Sequence, residues 1–223
     1  MDRLARWGPL GGVVLAGGLV AATLWRYPRL LDDPGAPLFL GGLAVGLGAA
    51  VAATCWAGRP LWSDARRTGT RWGPLVGALW IVEMAAGNLA YDQGRWTLVP
   101  YYASTVAAVA VTGLAGGLAA HRSGRFWSGP LAGAWSGLAS GLVGLATMAV
   151  LALAAMPVLR ADPQNLAEFR GAGDLDTAIA GDFLAGGIMH LLVVGVLAGG
   201  VLGAIGGAAG VASAPRAGVT HPA

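Results

Sequence analysis

The sequence predicts an all-α integral membrane protein of six transmembrane helices, with both termini on the cytoplasmic side and tight glycine-rich packing. Three observations carry this. Hydrophobic residues make up 56% of the 223 residues and charged ones only 11%, with a mean hydropathy of +0.64, where a soluble domain carries about 25% charged residues. Six apolar stretches reach the ~20 residues that one crossing of a bilayer requires. They lie near 7–25, 37–57, 73–91, 98–120, 129–158 and 181–208. The basic residues, all of them arginine, divide nine to five between the two sides that these stretches define.

The first stretch opens like a signal peptide, with Arg3 and Arg6 ahead of an apolar run. It is long for such a core, and its opening recurs downstream, so it reads as a span. With the N-terminus inside, Arg3, Arg6, Arg59, Arg66, Arg67, Arg71, Arg122, Arg125 and Arg216 are cytoplasmic. Arg26, Arg29, Arg95, Arg160 and Arg170 are external. That asymmetry orients the chain. The acids gather outside, among them Asp32, Asp33, Asp92, Asp162, Glu168, Asp174, Asp176 and Asp182. Trp7, Trp25, Trp56, Trp72, Trp96 and Trp127 fall at span ends, as an interfacial belt requires. The pI of about 9.6 therefore reflects membrane orientation and not nucleic-acid binding. The arginine, glycine and alanine bias points to a GC-rich bacterial genome and an inner-membrane location.

The connections are too short to fold alone, so residues 1–210 form one domain and 211–223 a flexible cytoplasmic tail. The longest connection, about 159–180, places Asp162 as an N-cap, Pro163 at the first helical position and Gly171 at the end of a short surface helix. Asp174 or Asp176 is positioned to cap the sixth helix. The openings WGPLGG (7–12), WGPLVG (72–77) and WSGPLAG (127–133) each follow a basic cluster, with Pro9, Pro74 and Pro130 in the first helical turn. They suggest three repeated helical hairpins, 1–58, 66–122 and 123–210, running in parallel; the bland alternative is that proline is a common way to begin a membrane helix.

Small residues recur every fourth position: Gly195, Gly199, Gly203 and Gly207 in span 6, and Gly133, Gly137 and Gly141 in span 5. Weaker stripes occupy span 4 (Ser104, Ala108, Thr112, Gly116) and span 2 (Gly42, Gly46, Ala50). Such faces let backbones approach closely in lipid. They build the bundle, and a face left over would serve a homo-oligomer or another membrane subunit.

Polar groups inside the membrane are the candidate site. Glu83 lies ~15 Å into span 3, where a carboxylate costs about 2.5–3.5 kcal/mol and normally faces a partner or a cavity. His190 in span 6 reaches a similar height and is the first candidate partner, with Thr147 or Ser140 next. Asn88 lies on another flank of span 3, and Tyr101 and Tyr102 read as interface anchors. Glu83, His190 and Asn88 thus outline a proton, ion or substrate pathway. The competing reading is a non-transporting subunit, sensor or assembly factor that docks partners through glycine faces. No His-x-x-x-His or Glu-x-x-His occurs, so neither metal nor cofactor is expected. A lone Cys55 near a helix end reads as apolar filler. Ser140 in GLASG with His190 is similar to the serine–histidine dyad of rhomboid proteases over a handful of residues. Span 5 runs in the opposite sense to the rhomboid serine helix, and Ser136 and Ser140 also fit the small-residue stripe, so no enzyme is expected.

Overall fold

The computed structural model describes residues 2–56, 63–89, 95–169 and 174–214, and every element among them is helical. Helix α1 spans Asp2–Arg26 and is followed by the 3-10 turn Pro28–Leu31. Helices α2 (Ala36–Trp56), α3 (Ser63–Leu89), α4 (Arg95–Ser123) and α5 (Ser128–Ala154) follow. After a single turn, Met156–Leu159, come the short helix α6 (Pro163–Glu168) and a long helix α7. Helix α7 runs unbroken over 38 residues, Leu175–Ala212. Its middle, His190–Ala198, is wound as a π-helix, each N–H reaching back five residues instead of four.

Five of these helices, α1, α2, α4, α5 and α7, are long and apolar enough to cross a membrane. The third expected span falls short of that standard. Helix α3 has the length, 27 residues, but Glu83 and Asn88 interrupt its apolar half. The prolines correct a second expectation. Pro9 and Pro74 lie inside α1 and α3 and not in a first turn, because both helices begin earlier, in the polar flank. Pro130 alone sits in the first turn of its helix. A proline donates nothing to the carbonyl four residues back, so Pro74 leaves the Thr70 carbonyl without its helical partner.

The caps are as the sequence suggests. Asp162 accepts from the Gln164 N–H at 2.9 Å and starts α6, and Asp174 accepts from the Thr177 N–H and starts α7. Arg160 pairs with Asp176 across that corner. The expectations placed on Arg59, Asp92, Arg170, Gly171, Arg216 and the rest of the 215–223 tail lie outside the described residues, as do the side chains of Arg3, Arg6, Trp7, Trp56, Arg95 and Trp96. Trp25 and Trp127 are exposed at their helix ends.

Helix α5 is the hub. In its membrane-length window 56% of residues are buried, against 11% for peripheral α2. Helices α1, α3, α4 and α7 all pack on it. Its contact with α7 is antiparallel and made of backbone. A Cβ added to Gly137 would fall on the Gly195 carbonyl, and one on Gly133 on the Gly199 carbonyl. From the other side, a Cβ on Gly203 would lie 2.5 Å from the Gly129 oxygen and 2.9 Å from the Gly133 Cα. Gly207 meets Gly129, and Gly141 meets Leu191. Helix α4 joins from the other flank of α7, Gly116 against Gly203 and Gly113 against Gly206. The 195–207 stripe is therefore used up within the chain.

A further glycine stripe is not among those read from the sequence. Gly69, Gly73 and Gly77 of α3 meet Ala132, Ala139 and Val143 of α5 in rising order, which sets the two helices parallel. Its signal was there, three glycines four apart, but Arg71 and Pro74 between them masked the small-residue pattern.

Candidate functional site

Helix α3 carries Glu83 and divides the polar groups between two flanks. On one flank Glu83 is half-buried, and the Tyr101 hydroxyl of α4 lies within hydrogen-bonding reach of its carboxylate. Gly87, one turn on, makes room for this approach: a Cβ there would lie 3.2 Å from the Tyr101 ring. Tyr101 packs edge-to-face on Tyr102, their centroids 5.1 Å apart. Tyr101 is thus more than an interface anchor.

On the other flank Trp80 and Met84 face α5 and α7. The His190 ring stands edge-on to Trp80, with centroids 4.6 Å apart. It fits because position 144 is glycine, where a Cβ would come within 2.5 Å of the His190 Cδ2 and 3.0 Å of the Met84 Cε. His190 is 8% exposed, and its Nε2 has no hydrogen-bond partner among the described residues. It occupies the first position of the π-helical stretch. The height expected for His190 is right, since it lies level with Met84. The pairing with Glu83 is not made, because Glu83 leaves α3 toward Tyr101 of α4 while His190 of α7 stands on the side of α3 that carries Trp80 and Met84. Residues 83 and 84 point roughly 100° apart around a helix, and that single step decides it.

Asn88, Ser140 and Thr147 are satisfied within their own helices. The Asn88 Nδ2 donates to the Met84 carbonyl at 2.8 Å, Ser140 Oγ to Gly137 at 3.1 Å and Thr147 Oγ1 to Val143 at 2.9 Å. Such bonds to the preceding turn are how hydroxyls are accommodated where no water competes. Ser140 and His190 therefore form no hydrogen-bonded dyad. Ser136 is fully buried in the α3–α5 contact and its Oγ has no partner among the described residues.

Three spaces surround this framework. A cavity of about 60 Å³ lies where α3, α4, α5 and α7 meet, lined by Trp80, Thr112, Ser140 and Val194 among others. It is large enough for water. Neither Glu83 nor His190 lines it. At one end of the bundle, a cleft of about 490 Å³ runs between the turn after α1 and the start of α7, bordered by Asp32, Asp33, Asp174, Asp182 and Arg29. Two of these acids are occupied in shaping the backbone: Asp33 Oδ1 accepts from the Gly35 N–H at 2.6 Å, and Asp174 caps α7. The hydrogen bond from Thr177 holds the Asp174 carboxyl below its ordinary range. Among the described residues no cluster of three or more His, Cys, Asp or Glu side chains could hold a metal ion.

The third space is the largest, an apolar groove of about 740 Å³ between α1 and α3, floored by α5. Gly12, Leu15 and Leu19 form one wall, Pro74, Ile81 and Ala85 the other, and Ala139, Leu142, Ala146 and Val150 the floor. Its two hydroxyls are engaged. Thr70 Oγ1 accepts from the Trp135 Nε1–H at 2.9 Å, and Thr147 donates to its own helix. Neither the sequence stripes nor the polar residues pointed to this groove. It arises because α1 meets α5 at Gly12–Leu142 while α3 meets it along the Gly69, Gly73, Gly77 line, leaving α1 and α3 apart. No family model, curated protein or solved structure matches the chain.

Proposed function

We propose that this chain is a six-span protein of the bacterial inner membrane that holds lipid hydrocarbon chains in the groove between α1, α3 and α5 and does not conduct a solute. The observation that supports it is the groove. Its volume of about 740 Å³ falls within the ~300–1,000 Å³ of ligand sites, and its walls offer no free hydroxyl. Helix α3 counts as the sixth span because it runs parallel to α5 from Gly69 to Met84, and α5 is itself of membrane length. The nine-to-five arginine division places both termini in the cytoplasm.

Transport of a proton, cation or small solute past an intramembrane acid is the second reading. Glu83, half-buried with a tyrosine partner, is the observation that favours it. A conduit would need Glu83 and His190 to share a wetted space, and they face opposite flanks of α3. Docking of a second copy or another subunit through the 195–207 glycines would need a free face, and that face is packed against α5 and α4. Purified protein reconstituted in vesicles tests the choice. Phospholipid should remain bound through purification in mild detergent, and vesicles should show no proton or cation flux above protein-free controls. A pH-dependent flux abolished by Glu83→Gln would reverse the assignment.

A further inference from the structure

We propose that the groove takes both hydrocarbon chains of an anionic phospholipid from the leaflet at its Trp135 end, with the phosphate held between Arg67 and Arg71. This rests on the lipid-holding reading above and adds the head-group charge and the leaflet.

The groove is long, and its lining is almost wholly apolar. Along α3 it extends from Thr70 to Ala85, ~22 Å at 1.5 Å per residue. Hydrocarbon chains, which carry no polar group to satisfy, match that lining. The length also exceeds the ~15 Å of one hydrocarbon leaflet, so the chains are accommodated with their ends past the midplane.

The mouth selects the charge. Arg67 and Arg71 are exposed and flank Thr70, the last groove-lining residue of α3 at this end. Side chains on a helix lean toward its N-terminus, which carries both guanidiniums out of the groove and to head-group depth. Arginine at this depth keeps its stem in hydrocarbon and its fork in the polar layer, and that fork matches a phosphate with two parallel N–H bonds. Among the described residues neither arginine takes part in an ion pair. The Trp135–Thr70 bond closes the floor beneath them, so the boundary between polar mouth and apolar groove is sharp.

The test is native mass spectrometry of the whole protein titrated with phosphatidylglycerol or phosphatidylcholine of identical chains. Phosphatidylglycerol should bind roughly 30-fold more tightly, the factor that two interfacial arginines supply. Arg67→Gln with Arg71→Gln should reduce it to the phosphatidylcholine level. Ala85→Trp should displace both lipids, and Ile81→Trp, at a 42% exposed wall position, replaces it if that variant fails to fold. Equal binding of the two lipids, still lost on filling the groove, overturns the charge assignment and leaves the lipid-holding reading standing. Lipid binding that survives both fillings overturns both. A dimer in detergent that dissociates when the groove is filled identifies a second copy as the occupant and likewise overturns the proposal.

Discussion

The two faces of α5 solve the same problem in opposite ways. Toward α7 it presents Gly129, Gly133 and Gly137, where backbone meets backbone with no side chain between, and then Gly141 and Gly144, which admit Leu191 and His190. Toward α1 and α3 it presents Ala139, Leu142, Ala146 and Val150; each neighbour touches α5, α1 at Gly12 and α3 along Gly69, Gly73 and Gly77, but the two stand apart from one another and leave an open groove. In lipid no hydrophobic force drives helices together, so contact must come from close packing. Glycine on both partners gives closure on the first face; on the second, two helices that grip α5 along different lines leave a gap between themselves. The locked face supplies a rigid wall, and the open face uses it.

The largest expected effect comes from breaking the locked face. Gly137→Leu places a side chain on the Gly195 carbonyl, where only backbone could give way. We expect a loss of about 3 kcal/mol or more, seen as failure to recover monodisperse protein in detergent. Ile81→Trp on the open face should cost less than about 0.5 kcal/mol. Equal damage from the two would remove the distinction between the faces.

Next is the end of the locked face, where a glycine admits a side chain. Gly144→Ala should destabilise by about 1–3 kcal/mol, because its methyl meets the enclosed His190 ring. His190→Ala in the same chain should recover much of that. A coupling of about 0.5–3 kcal/mol in a double-mutant cycle measured by thermal melting is expected; strict additivity would contradict the contact.

A smaller effect is expected off both faces. Tyr101→Phe removes the hydroxyl that reaches Glu83 and should cost about 0.5–1.5 kcal/mol, whereas Glu83→Gln keeps an acceptor and should cost less. The reverse order in thermal unfolding would mean that the tyrosine is not the partner of the acid.

The smallest effect lies outside the membrane. Because Thr177 holds the Asp174 carboxyl below 3.8, its ordinary value, the folded state binds this proton less readily than the unfolded one. The stabilisation is present at neutral pH and is lost as pH falls below the ordinary range. Asp174→Asn keeps a capping side chain without the titration, so its melting temperature should fall less between pH 5 and pH 3 than that of the wild type.

Much of the architecture was legible in the sequence because each span carries its own signal: composition, length, an N-cap aspartate or a flanking arginine. The glycine stripes were legible too, but not which stripe meets which, since spacing gives a face and not a partner. Helix α3 shows the limit most clearly. Its acid was conspicuous, and its height relative to His190 was readable from residue counts, but the side on which each group leaves its helix is set by packing across three helices. Tyr101 was overlooked because a tyrosine at a span end is ordinarily explained by the interface. The groove was illegible for a different reason: a gap is a property of where neighbours are not.

The π-helical stretch at His190–Ala198 constrains how this chain can vary over descent. Each residue there turns through a smaller angle than in an α-helix, so the stretch sets the phase between the aliphatic face before it, with Leu184 and Ile188 buried, and the glycine face after it. Substitutions within it leave that phase alone. Loss of one residue would let it rewind as an α-helix and swing every glycine from Gly199 onward off α4 and α5 together. Insertions and deletions, elsewhere absorbed by loops, should therefore be excluded from these nine residues.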